Sequence, residues 1–182
     1  VARLNRIIVA ELLKLGIGAV SQTPSSFIVT RGGKVKKIFS DPVLGLLDLN
    51  LVPVIYGDIV YDQTRGASIL STEKIFNALV SVFIKKNIPV EKIIHASITN
   101  GVLDNKNQTI PYITQDNFRQ LKKVFQKTDG FDVTGGMLHK VDECLALTSY
   151  NIQSIIINGE EIHALEKAIS GGKLHGIATV VE

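Results

Sequence analysis

The strongest chemical signal in the chain lies in "DVTGGMLHK", where Gly135 and Gly136 open what reads as a helix. Thr134 precedes them and Lys140 follows within the next turn. A glycine inside a helix costs about 1 kcal/mol relative to alanine. An ammonium near a helix N-terminus faces the positive end of the macrodipole, where a carboxylate would be the stabilising choice. Both penalties make sense if an anion occupies that corner. Glycines let backbone N–H groups approach it, the helix end favours its charge, and the lysine becomes a charge-assisted contact. A polyphosphate is an anion of this kind. The alternative is a glycine-softened helix start whose lysine reaches out to water.

Three further stretches could contribute. In "YGDIVYD", Gly57 at a strand end permits close backbone approach, and Asp58 could orient a donor or, through water, a metal. An ordinary Gly-Asp turn is the alternative. In "ILSTEK", Glu73 falls in the first turn of a helix, where the dipole favours a carboxylate for stability alone. In "ASITNGVLD", Asn100 and Gly101 either line a ligand or simply make a turn.

These residues need elements to position them. Leu4, Ile8, Leu12 and Leu15 recur at helical spacing and predict a buried helix face, ended by Gly16 and Gly18. "GAVSQT" reads as a strand. Asp41 and Pro42 read as N-cap and first residue of the next helix. "LVPVIYGDIVYD" is a near-continuous apolar run, the pattern of a strand buried on both faces, interrupted tightly at Gly57 and Asp58. "STEKIFNALVSVFIKKN" is helical, capped by Ser71 or Thr72, and "EKIIHASI" is a strand. Thr114 caps a helix with Phe118, Leu121 and Phe125 on its apolar side. Met137, Val141, Cys144 and Leu145 form the buried stripe of the helix that carries Lys140. "IQSIIING", "EEIHALEKAIS" and "GIATVV" read as strand, helix and strand. Such alternation predicts a three-layer α/β/α sandwich around a mostly parallel open sheet. In sheets of this kind, ligands bind outside the carboxyl ends of the strands.

Composition bounds the function. The 182 residues are 45% hydrophobic, enough for a substantial core in a single domain. The richest apolar run is broken by Asp48, Asn50 and Pro53, so no membrane partner is expected. The single cysteine, Cys144, excludes an intramolecular disulfide and suits a reducing cytoplasm. His95, His139, His163 and His175 have no metal-ligand spacing. A net charge of +3 is mild. Its one basic cluster, "TRGGKVKK", reads as a solvated hairpin or as a loop meeting an anion, with little to support nucleic-acid binding. The chain opens already inside a helix, without methionine or cap, and reads as a piece whose beginning is missing.

Taken in order, "VPVIYGDIVYD…GASILSTEK", "ITNGVLD" and above all "DVTGGMLHKV" resemble the amino acid kinase superfamily, and within it most the isopentenyl phosphate kinases. The resemblance covers essentially the whole chain. It implies transfer of the γ-phosphoryl group of ATP to isopentenyl phosphate, giving isopentenyl diphosphate and ADP with Mg²⁺, in a cytoplasmic homodimer. The acceptor half would lie roughly in residues 1–60 and the nucleotide half in 61–182. Carried over by position, Lys140 contacts the ATP phosphates, and Thr134, Gly135, Gly136, Asn100 and Gly101 line the nucleotide. Gly57 approaches the acceptor phosphate with Asp58 behind it, and Glu73 organises the catalytic lysines. No metal-binding side chains are implied, because Mg²⁺ rides on the ATP phosphates.

The sequence also departs from the family pattern. A Lys-x-Gly-Gly-Ser strand-loop and a second glycine-rich loop with a histidine are absent from these residues. Ser-Gly-Asp is replaced by Ser71-Thr72-Glu73. "SITNGV" puts Ile98 and Asn100 where carboxylates are usual, and Tyr56 stands where histidine is common. Open alternatives are a kinase for another small phosphate or phosphonate such as fosfomycin, a carboxylate kinase, and a degenerate non-catalytic nucleotide-binding member.

Overall fold

The computed structural model describes residues 1–125 and 136–182. Its contacts divide the chain into two compact units, Val1–Asn87 and Ile88–Glu182.

In the first unit, α1 (Ala2–Lys14) leads into β1 (Ala19–Gln22), which pairs in parallel with β4 (Val52–Ile55). The helix does not bury the face its leucines predict. Leu4, Ile8 and Leu15 are 59%, 42% and 75% exposed, whereas Asn5 is only 3% exposed. The reason is polar: Asn5 Nδ2 donates to the Val54 carbonyl at 2.9 Å, and its Oδ1 accepts from Ser21 Oγ at 2.5 Å. One amide thus ties the helix to both strands, as a buried polar side chain must be satisfied to be tolerated.

A second sheet has the order β3-β2-β5-β6, with β2 (Ile28–Arg31), β3 (Lys34–Ile38), β5 (Asp58–Asp62) and β6 (Gly66–Leu70). The basic cluster is the β2–β3 hairpin. Gly32 and Gly33 have φ of +61° and +79°, the geometry a two-residue hairpin loop requires. The run "LVPVIYGDIVYD" is two strands in two different sheets, not one. Nor is β5 buried on both faces, for Val60 and Asp62 point inward while Ile59 and Tyr61 are 64% and 60% exposed. Helix α2 (Asp41–Asp48) begins at Asp41, with Ser40 in the cap position, one residue earlier than expected. Helix α3 (Thr72–Lys85) is capped by Ser71, whose hydroxyl accepts from Lys74 N. Phe27, Ile28, Val43, Val60, Leu70, Ile75 and Leu79 form the core of this unit.

The second unit is a four-stranded sheet in the order β7-β9-β10-β8: β7 (Lys92–Ser97), β8 (Tyr112–Ile113), β9 (Gln153–Asn158) and β10 (Ala178–Val181). β7 and β9 are parallel, β10 runs antiparallel to β9, and β8 is parallel to β10. Helices α4 (Gln115–Phe125) and α5 (Gly136–Thr148) cover one face, where Phe118, Val141, Cys144 and Leu145 pack on Ile113, Ile156 and Val181. Helix α6 (Ala164–Ser170) covers part of the other through Ala164 and Ala168, against Ile155, Ile157 and Ala178. This is the expected three-layer order, imposed by strands whose alternate residues are apolar on both sides. Thr114 caps α4 reciprocally: its hydroxyl accepts from Asn117 N, and Asn117 Oδ1 accepts from Thr114 N.

Candidate functional site

In the first unit the parallel pair β1 and β4 ends side by side, at Gln22 and Ile55. Past those ends the chain makes a one-turn 3-10 helix, Pro24–Ser26, and the turn Tyr56–Gly57. The two are joined by side chains. Thr23 Oγ1 and the Tyr56 hydroxyl lie 3.1 Å apart, and Asp58 Oδ2 accepts from Ser25 N at 3.0 Å. Its other oxygen accepts from Ile59 N at 2.8 Å. Asp58 is therefore a local brace holding the 3-10 turn against the strand end.

Gly57 is pressed against the start of α3. A Cβ there would stand 3.3 Å from the Leu70 carbonyl and 3.5 Å from Thr72 N. The absence of a side chain thus lets the β4–β5 turn touch the Ser71–Glu73 segment, with Glu73 half-buried in the helix's first turn. Gly57, Asp58 and Glu73 are brought together at one end of this unit.

Asp62 is a residue the sequence reading missed. It is fully buried, and its carboxylate accepts from the backbone N–H groups of Gly32, Gly33, Thr64 and Arg65 and from the hydroxyls of Thr64 and Thr30. Burial alone would raise its pKa. The hydrogen bonds from Gly33, Thr64 and Arg65 and from the Thr64 hydroxyl outweigh that and hold the carboxyl far below the usual carboxylate range. The available signal was Asp62-Gln63-Thr64, an Asx-turn pattern at a strand end.

In the second unit, β7 and β9 end at Ser97 and Asn158, locked by Gly159 N donating to the Ser97 carbonyl at 2.8 Å. The segment after β7 holds Ile98, 80% exposed, then Thr99, Asn100 and Gly101. Asn100 Oδ1 is shielded from solvent and has no hydrogen-bond partner among the described residues. An orphaned acceptor in such a place is costly unless a ligand or an ordered water donates to it. Gly101, at φ +78°, is a turn residue as well as a candidate ligand neighbour. Its N donates to the Thr99 carbonyl, and a Cβ on it would collide with Thr179 and Ala178 of β10.

Helix α5 starts at Gly136, which is exposed, and carries the half-buried Lys140 one turn in. Met137 and Leu138 pack on the core beside Val141, Cys144 and Leu145, the expected stripe plus one position. Cys144 is core, its Sγ 3.3 Å from Nε2 of the buried His95. Only residues 149–152 link α5 to β9, so helix and strand run antiparallel. Each is about 20 Å long, so the amino end of α5 lies at the carboxyl end of β9. Gly136, Lys140 and the 98–101 segment thus share one edge of the sheet, where helix dipole and strand ends meet. Thr134 and Gly135 lie outside the described residues.

The sequence profile described as the Amino acid kinase family matches residues 1–158. The chain is 34% identical over 170 residues to the isopentenyl phosphate kinase of Methanocaldococcus jannaschii, covering 93% of this chain and 61% of that protein. It is 30% identical over 181 residues to the isopentenyl phosphate kinase of Methanothermobacter thermautotrophicus, covering 97% and 66%. The chain therefore spans rather less than two thirds of the length of these curated relatives. A solved structure described as "X-ray structures of isopentenyl phosphate kinase" superposes with a TM-score of 0.75 at 25% identity, covering 98% of this chain and 65% of that one. With the glycine turns, strand ends and helix start arranged as above, the chain belongs to the amino acid kinase family.

Proposed function

We propose that the protein transfers the γ-phosphoryl group of ATP to isopentenyl phosphate, yielding isopentenyl diphosphate and ADP. The carrying observation is the sheet edge of the second unit. There a helix amino end, a half-buried lysine and an orphaned amide oxygen face the side on which parallel strands of such folds receive ligands. Relatives named isopentenyl phosphate kinase, up to 34% identical, support the choice of acceptor.

In this reading the second unit takes the nucleotide and the first the acceptor. Gly136, with Thr134 and Gly135 before it, gives backbone N–H groups to the phosphates, and Asn100 and Gly101 border the nucleoside. Lys140 meets the charge that builds on the equatorial oxygens of the transferring group, and the protein's task is positioning and neutralisation. A phosphate monoester is largely ionised near neutral pH, so its oxygen attacks the γ-phosphorus without a general base. The bond to the β–γ bridging oxygen breaks and ADP leaves. Gly57 admits the acceptor phosphate close to backbone, Asp58 fixes the turn beside it, and Glu73 orients the cationic groups. Mg²⁺, when bound, neutralises phosphate charge and would be held by the phosphate oxygens. Among the described residues no cluster of three or more His, Cys, Asp or Glu could hold a metal by itself. The family resemblance further supports a cytoplasmic homodimer.

The test is to incubate the protein, expressed from its own gene, with Mg-ATP and a panel of isopentenyl phosphate, fosfomycin and small carboxylates, following ADP release. Fastest turnover of isopentenyl phosphate supports the proposal. Preference for another acceptor replaces the substrate, and ATP binding without turnover of any acceptor replaces catalysis by a regulatory role.

A further inference from the structure

Helix α6 leaves part of its face of the second sheet uncovered, and a cavity of about 920 Å³ opens there. That volume is in the range of small-molecule sites. Its floor is apolar, made by Ile155 of β9 and by Ala178 and Val180 of β10. Its rim is cationic. Lys92, Lys167 and Lys173 line it with His175, against one carboxylate, Glu182, which accepts from Gln153 Nε2 at 3.2 Å. Lys92 Nζ donates to the Ala168 and Ile169 carbonyls at the end of α6. An ammonium has three donors, so one remains for a ligand. The 171–176 loop that forms one wall is fixed at both ends: Gly172 N donates to the Lys167 carbonyl, and Thr109 Oγ1 donates to that of Gly176.

Lys92 and Gln153 stand at the amino ends of β7 and β9. The Lys92 and Gln153 end of the cavity is therefore about 16 Å along the strands from the edge carrying the 98–101 segment. The two regions nevertheless share β10. Ala178 and Val180 line the cavity, while Thr179, between them, faces the other way. Its hydroxyl accepts from Val102 N at 2.7 Å and donates to the Ile110 carbonyl at 2.6 Å. The same residue closes against Gly101.

We propose that this cavity binds an organic phosphate or diphosphate with an apolar tail, the head group among the lysines and the tail on Ile155, Ala178 and Val180. Occupancy displaces β10 and so the Gly101–Val102 turn on its opposite side. The binding claim stands apart from the kinase reading. Only the regulatory meaning of the displaced turn rests on that reading, and the two are measured separately.

The probe is geranyl diphosphate, with inorganic diphosphate as the headgroup alone, titrated by calorimetry and by amide NMR without nucleotide. The expected result is saturable binding that falls at least tenfold in the Lys167→Glu/Lys173→Glu variant and is unchanged in Lys140→Ala, with inorganic diphosphate at least tenfold weaker. Lys167 and Lys173 are exposed, so the double variant should melt with the parent. No binding at 1 mM, undiminished binding in the charge-reversed variant, or loss in Lys140→Ala instead would overturn the site. Amide shifts at Gly172 and Lys173 accompanied by shifts at Gly101 and Val102 support the coupling. Shifts confined to the 171–176 loop overturn that part.

Discussion

Replacing Gly101 by alanine tests how the candidate nucleotide edge is built. Two separate penalties follow from the structure. At φ +78° a residue with a Cβ is strained by about 1–2 kcal/mol. The new methyl would also stand 2.5 Å from Thr179 N and 2.8 Å from the Ala178 carbonyl carbon. Those are backbone atoms of a paired strand that cannot swing aside, and overpacking of this sort costs typically about 1–3 kcal/mol. Together Gly101→Ala should lose about 2–5 kcal/mol, which for a chain of this size is a fall in Tm of roughly 4–20 °C. Gly176 provides the control, with φ +75° and nothing within 4 Å of an added Cβ. Gly176→Ala should show the backbone penalty alone, about 1–2 kcal/mol. Urea unfolding of both variants isolates the steric part as their difference. If Gly101→Ala unfolds together with Gly176→Ala, the clamp between Thr179 and the turn is not the constraint described here.

Lys140→Ala should lower turnover by about 10²–10³-fold, the usual loss for one preorganised donor to developing charge, a far larger effect than on stability; parent-like turnover would remove its assigned role. Asn100→Leu removes the orphaned acceptor, so the free protein should be as stable as the parent or slightly more so, while nucleotide affinity by calorimetry falls about tenfold. Asp62 has a depressed folded-state pKa, so its contribution is complete above the unfolded carboxylate value of about 4 and is lost as pH falls below it. Asp62→Asn should therefore be clearly less stable than the parent at pH 7, and the gap between the two melting curves should narrow below about pH 4; a gap independent of pH would contradict the ionised cradle.

The sequence made the second unit far more legible than the first. β7, β9, α5 and β10 announce themselves because apolar runs bounded by glycine or asparagine leave few alternative readings, and the stripe Met137, Val141, Cys144, Leu145 packs as its spacing implies. In the first unit, pattern alone misled twice. The leucines of α1 have the spacing of a buried face, yet tertiary hydrogen bonds to Val54 and Ser21 select the face bearing Asn5. "LVPVIYGDIVYD" offers no local sign that the chain changes sheets at Gly57. That turn is set by contact with Leu70 and Thr72, distant in sequence. The candidate site residues were visible by type, but Asp58 as a brace and Asp62 as a buried anchor depend on partners some 30 residues away.

The four-stranded sheet of the first unit is two hairpins whose ladder meets at a single register pair, Thr30 with Asp62. Because one carboxylate fastens the tips of both, the lengths of the two loops are coupled. A residue inserted after Gly33, or between Thr64 and Arg65, would detach the neighbouring hairpin as well as its own. Grafting or recombination between homologues should therefore exchange residues 28–38 and 58–70 as one block, and chimaeras that split them should be recovered mostly as insoluble protein.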